Sequence, residues 1–150
     1  MRATNESVGT LQWWCGDRWD GNAQPTPVVQ RGHTEFTVHR AGDRLCLTAV
    51  AGVAPASLTL RWADAPQGPF GEPRTALIPE EALRADAFVY AGKAHPQLTG
   101  ADVVATYASN ATVDVTLKDD SLYYPRFARI WFEDRHVPTE DRAISTEDRA

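Results

Sequence analysis

The chain lacks the signals that mark most specialised classes. It has no run of about 18 apolar residues, so no membrane-spanning helix is expected. Its first residues, Met1-Arg2-Ala3-Thr4-Asn5-Glu6-Ser7, contain no apolar stretch of the kind a signal peptide carries. Basic residues are outnumbered, 15 Lys and Arg against 20 Asp and Glu, and a net charge of -5 excludes a dedicated nucleic-acid binder with a basic face. There is no G-x-S-x-G elbow, no Gly-rich phosphate loop and no H-E-x-x-H. Cysteine is scarce. Cys15 and Cys46 show no metal-ligand spacing, and a disulfide between them would need an oxidising compartment and a short Cα separation. Cys46, between Leu45 and Leu47, reads as a small buried apolar residue.

What is present is a β pattern. The apolar share of 43% and 150 residues suffice for one domain with a core, and ten Gly and ten Pro in short clusters suit an all-β fold rich in turns. The stretch Thr34–Ala63 organises the rest. Thr34–His39 and Ser57–Trp62 alternate polar and apolar residues, and Leu45–Val50 is a short apolar run between them. Arg40-Ala41-Gly42-Asp43 and Gly52–Ala56 are turns short enough to force antiparallel pairing. Arg74–Ile78, flanked by prolines, is expected as a fourth, edge strand. Pro79–Ala85 has a proline start and early acids, which predicts one or two helical turns.

A second meander follows: strands over Ala87–Ala91, Asp102–Tyr107 and Tyr124–Phe132, with Lys93–Gly100 as loop. Val113–Leu117 alternates and reads as strand or loop. Leu11–Gly16 predicts a short aromatic strand, and the Trp13-Trp14 and Tyr123-Tyr124 pairs read as packing residues. In the tail, Glu133-Asp134-Arg135, Glu140-Asp141-Arg142 and Glu147-Asp148-Arg149 recur every seven residues with one apolar residue per heptad, too few for a coiled coil. The expected organisation is a flexible 1–10, a β domain over 11–132, and a charged, disordered 133–150.

Several pieces together resemble the C-terminal part of a five-bladed β-propeller of the glycosidase type, arabinanase- and xylosidase-like, and a related group of secreted bacterial proteins. Leu11–Trp19 is similar to their aromatic strand and Gly-x-x-Trp turn. Thr34–Val38 is similar to the acidic first strand of a blade, and Leu60–Phe70 to their proline-glycine turn, with Phe70 in place of a Trp. Ala94-His95-Pro96-Gln97-Leu98 resembles a last-blade His-Pro-x-Leu, and 104–110 and 124–130 resemble the strands that close the ring. A five-bladed ring of about 45 residues per blade needs well over 200 residues. The expectation is therefore a partial propeller of about two blades plus a closing strand.

The resemblance implies a carbohydrate-active, glycoside-hydrolase-like function, with an extracellular setting for the parent protein. The family's two-carboxylate chemistry uses acids on inner strands of blades that this length does not hold, so the chain alone is not expected to be an enzyme. The alternative is a non-enzymatic carbohydrate-binding or cell-surface propeller module. Glu35 is the candidate catalytic residue; it shares a strand face with Thr37 and His39, although that face also suits a half-exposed strand with a polar side. His39, Tyr90, Lys93, His95, Tyr107, Asn110 and Arg126 are the candidate sugar-binding residues, by their aromatic faces and bidentate polar groups. No cofactor is expected, except that a complete propeller implies a divalent cation, for which His95 is the candidate ligand. The expected partners are carbohydrate and either a partner chain or further blades that complete the ring.

Overall fold

The computed structural model describes residues 11–52 and 55–132, and the backbone of 144–147. The chain is all-β and built from two consecutive four-stranded antiparallel meanders. The first comprises β3 (Phe36–Ala41), β4 (Arg44–Ala51), β5 (Ser57–Ala63) and β6 (Arg74–Leu77), in that spatial order. The second comprises β7 (Ala87–Ala94), β8 (Val103–Ala111), β9 (Arg126–Phe132) and β10 (Ile144–Glu147), again in chain order. Ahead of them, β1 (Trp13–Trp14) and β2 (Trp19–Asp20) form a small hairpin, with the Trp14 and Trp19 rings tilted against each other, centroids 5.7 Å apart.

Local chemistry explains the register. Ala41 pairs with Arg44 across a two-residue turn, Gly42-Asp43, where Gly42 takes φ 64 without a Cβ penalty. Leu45 then pairs with Ala63 and Ala51 with Ser57, which fixes β5 against β4. The expected short helix is a 3₁₀ turn over Glu80–Leu83. Val113–Thr116 is one turn of α-helix (α1) rather than a strand. Residues 1–10, expected to be flexible, and most of the charged tail lie outside the described residues. Within the tail, Ile144–Glu147 run antiparallel to β9 as the fourth strand of the second sheet.

The two sheets pack face to face around one apolar core. Cys46, Leu58, Leu60 and Trp62 of the first sheet meet Val103, Ala105, Ile130 and Phe132 of the second, all nearly or fully buried. A smaller cluster, Ala56, Ala82, Val89 and Tyr107, anchors the 3₁₀ turn. First strands lie together and last strands lie together, β3 and β4 against β7, and β6 against β10. β3 and β7 also run the same way: Glu35 lies beside Tyr90 and Lys93, and His39 beside His95.

At β3 the alternation is the reverse of a simple amphipathic strand. Phe36 and Val38 point outward and are exposed, while Thr37 and His39 are half-buried on the side of the second sheet. The apolar pair lines an outer groove of about 410 Å³ with Val28, Leu47 and Phe70. The polar face instead forms a seam against β7.

Candidate functional site

The seam between β3 and β7 gathers most of the polar candidates. At its upper end, His33, Thr34 and Glu35 face Val50, Tyr90 and Ala91 across a pocket of about 270 Å³. Glu35 sits just before β3 and its Oε1 lies 3.4 Å from Lys93 Nζ, bridging the two sheets. Both side chains are about two-fifths exposed, so the pair is a solvent-accessible clamp rather than a buried bridge. The Tyr90 ring lies 5.6 Å from Phe88 and keeps an exposed face.

The local backbone explains how these groups meet. β7 carries an irregularity between Tyr90 and Lys93, where Ala91 takes φ 57. Such a bulge re-aims the flanking side chains. Next to it, Gly92 passes so near β4 that a Cβ would lie 2.5 Å from Val50 N. Only a residue without a side chain brings the strands this close, and that approach narrows the seam around Glu35 and Tyr90.

At the lower end, His39 and His95 line a second pocket. Burial lowers the His39 pKa, and its Nδ1 is buried with no hydrogen-bond partner among the described residues. His95 is held by Thr106, whose Oγ1 lies 2.7 Å from Nε2, and by the Phe127 ring at 5.9 Å.

The remaining candidates lie elsewhere. Tyr107 is 1% exposed in the smaller core cluster, out of reach of a surface ligand. Its neighbours in parity, Val103 and Ala105, are core as well, and that parity is the signal that marks it. Asn110 turns its Oδ1 to the Ala111 N–H at 2.8 Å, a local bond that ends β8. Arg126 is ion-paired with Glu81, whose side chain is 9% exposed, so it staples β9 to the 3₁₀ turn. Arg126→Met is expected to cost about 2 kcal/mol, below the figure for a fully buried pair because the guanidinium is 38% exposed. The double variant Glu81→Leu, Arg126→Met should recover part of that loss. Urea titration checks this; a neutral Arg126→Met would remove the staple.

One contributor was missed from the sequence. His33 shares the sequence parity of Glu35, Thr37 and His39 and lines the upper pocket. Its Nε2 is buried without a partner among the described residues, and burial, then Arg61, lower its pKa. In the tryptophan hairpin, Trp13 and Trp19 are about half exposed.

Chemically, the seam offers one carboxylate at each end. Glu35 is tied to Lys93, and Asp102 accepts the Phe132 N–H at 2.7 Å through Oδ2. Glycoside hydrolysis needs two carboxyl groups across one scissile bond, about 5 to 9.5 Å apart. Here Glu35 and Asp102 line different pockets. Among the described residues no three His, Cys, Asp or Glu side chains gather to hold a metal ion. Cys15 and Cys46 are both free, and burial pushes the Cys46 thiol up to about 12, which leaves it inert at neutral pH. Comparison with protein-family models, with curated proteins and with solved structures finds no match for the chain.

Proposed function

We propose that the chain is a two-blade segment of a glycosidase-like propeller, and that its β3–β7 seam binds carbohydrate without hydrolysing it. The observation that carries the reading is that Glu35 and Tyr90 line one pocket between two first strands, with the solvent-accessible Glu35 carboxylate paired to Lys93. A carboxylate and an ammonium exchange hydrogen bonds with sugar hydroxyls, and an aromatic face takes the C–H side of a pyranose. The segment reading is supported by two meanders of the same strand order, with first strands parallel and adjacent. In a propeller the first strands line the axis, where a ligand sits. The outer face of the first sheet, with Phe36 and Val38 exposed, is where a neighbouring blade or a partner chain would stack. An extracellular setting follows from the same reading.

The binding reading is preferred to a hydrolytic one because each pocket holds a single carboxylate, and each is already engaged. The test is an amide NMR titration of the chain with arabino- and xylo-oligosaccharides, alongside a hydrolysis assay. Shifts centred on Glu35, Tyr90 and Lys93 are expected, with no cleavage. Tyr90→Ala should weaken binding about tenfold, on the order of 1.4 kcal/mol. Oligosaccharides that leave these three residues unmoved would sink the carbohydrate reading. A cleavage rate abolished by Glu35→Gln would sink the non-catalytic part.

A further inference from the structure

We propose that the outer face of the second sheet is a platform for an extended polysaccharide chain, held on two aromatic pairs, Phe88–Tyr90 and Phe127–His95, and ending at the Glu35 pocket. The proposal rests on the carbohydrate reading and adds the length of the ligand and its course over the protein. Register places both pairs on one face. On β8, Ala105, Tyr107 and Ser109 are buried, so Thr106, Ala108 and Asn110 point the other way, outward. Beside them, Phe88 pairs with Asn110, Tyr90 with Ala108, and Phe127 with Thr106. The Phe88 and Tyr90 rings lie 5.6 Å apart, and the Phe127 ring lies 5.9 Å from that of His95, whose Nε2 is 2.7 Å from Thr106 Oγ1. Phe88, Tyr90 and Phe127 are all exposed.

The irregularity in β7 is the central observation. Tyr90 and Lys93 are three residues apart, and in a regular strand they would point to opposite faces. Their partners on β8, Ala108 and Thr106, are two apart and point the same way. The extra residue in β7 therefore turns Lys93 onto the face of Tyr90, in one row with Thr106 and Phe127. Ala91 takes φ 57 in this bulge, a left-handed conformation that a residue with a Cβ adopts only at a cost. Lys93 and Tyr90 also join the platform to the pocket. Lys93 Nζ lies 3.4 Å from Glu35 Oε1, and Tyr90 lines the pocket with Glu35 while its ring meets Phe88.

The chemistry of the face selects a sugar chain over a protein. Its rings alternate with polar groups, Asn110 beside Phe88, and Thr106 and Lys93 in the row of Phe127, so the apolar surface is interrupted. The core of a protein interface is depleted in lysine and richer in apolar surface. The outer groove of the first sheet is built that way, from Val28, Phe36, Val38, Leu47 and Phe70. A pyranose ring has apolar C–H faces and a rim of hydroxyls, and an aromatic face beside hydroxyl, amide and ammonium groups meets both. Between the two aromatic pairs, Ala108 and Thr106 are small and half-buried, so the floor is low. Tyr90 and Phe127 stand two strands and two residues apart, about 12 Å between Cα atoms, which a chain of several sugars covers and a single sugar does not.

The experiment uses the whole chain with xylobiose and xylohexaose. Affinity is read by calorimetry, and the place of binding by amide NMR. Xylohexaose should bind at least about tenfold more tightly than xylobiose, because only the longer chain reaches the second aromatic pair. It should shift Thr106 and Phe127 together with Glu35 and Tyr90, whereas xylobiose should leave Phe127 unmoved. Phe127→Ala, its fold checked by thermal melt, should cut the xylohexaose affinity about tenfold and leave that of xylobiose unchanged. Phe88→Ala should weaken both sugars. The shift map of the wild type stands independently of these variants. Xylohexaose that shifts Glu35 and Tyr90 but leaves Thr106 and Phe127 unmoved would overturn the platform and leave the carbohydrate reading standing. If neither sugar shifts any of these residues, the platform falls together with that reading. Self-association that grows with concentration in sedimentation runs and is lost in Phe127→Ala would show this face covered by a second copy of the chain, and would overturn the platform as well.

Discussion

Gly92→Ala is expected to cost at least about 3 kcal/mol and to shift the melting transition down by more than 10 °C. The added Cβ would fall 2.5 Å from Val50 N, 2.7 Å from Val50 Cγ2 and 2.8 Å from Ala49 C. Two of those three neighbours are backbone atoms of a central strand, paired on both sides by β3 and β5. A side chain can swing away from a clash, but this backbone moves only by parting the ladders. Overpacking in a relaxed core costs about 1–3 kcal/mol, and a clash with fixed backbone lies at or above the top of that range. A domain with a total stability of about 5–15 kcal/mol is left with little margin. Gly32 is the control: nothing lies within 4 Å of a Cβ there, so Gly32→Ala should be neutral. Two variants with the same chemical change then separate packing from the general loss of glycine's flexibility. A Gly92→Ala melt within a degree or two of wild type would mean that β7 does not press on β4, and the seam would lose its geometric basis.

The same close approach shows what a one-dimensional pattern can and cannot carry. The first meander is legible because each strand is written in its own residues: alternation in Ser57–Trp62, an apolar run in Leu45–Val50, and Gly42 at the turn. The closeness of Gly92 to Val50 has no such local mark, since it depends on how two sheets are stacked. Side-chain direction is legible only in part. The shared parity of Glu35, Thr37 and His39 is plain, but alternation does not say which face meets another sheet. At β3 the polar face does, and Phe36 and Val38 are left outward. Val113, Val115 and Leu117 alternate like a strand, yet they form a single helical turn with Val113 and Leu117 largely exposed, because no neighbouring strand is there to pair with them. Arg126 looks like a sugar ligand in isolation, and only the fold brings it to Glu81. Glu35, Tyr90 and Lys93, by contrast, are each conspicuous in the sequence and do meet, since first strands of successive meanders are neighbours in this arrangement.

Trp62→Ala is expected to cost about 3–5 kcal/mol, the range for deleting a large buried aromatic. Trp62 on β5 is 5% exposed and meets Phe132 on β9, 8% exposed, edge to face at 5.2 Å and 74°. This pair joins the two sheets, so the variant tests whether they fold as one body. Trp62 Nε1 is also buried without a hydrogen-bond partner among the described residues. Trp62→Phe removes that unpaired donor together with part of the ring, and the two effects oppose each other, so it should cost no more than about 1–2 kcal/mol. A double-mutant cycle with Phe132→Leu should give a coupling of about 0.5–1.5 kcal/mol between the rings. Urea unfolding of the wild type, followed by far-UV circular dichroism and by tryptophan fluorescence, should give coincident transitions. In Trp62→Ala the two probes should separate if the second sheet loosens before the first. A loss below about 1 kcal/mol with no coupling to Phe132 would mean that the sheets do not share a core. The seam would then lack a fixed spacing, and Glu35 and Lys93 could not be held as a pair, because a pair so exposed has too little energy of its own to hold two sheets together.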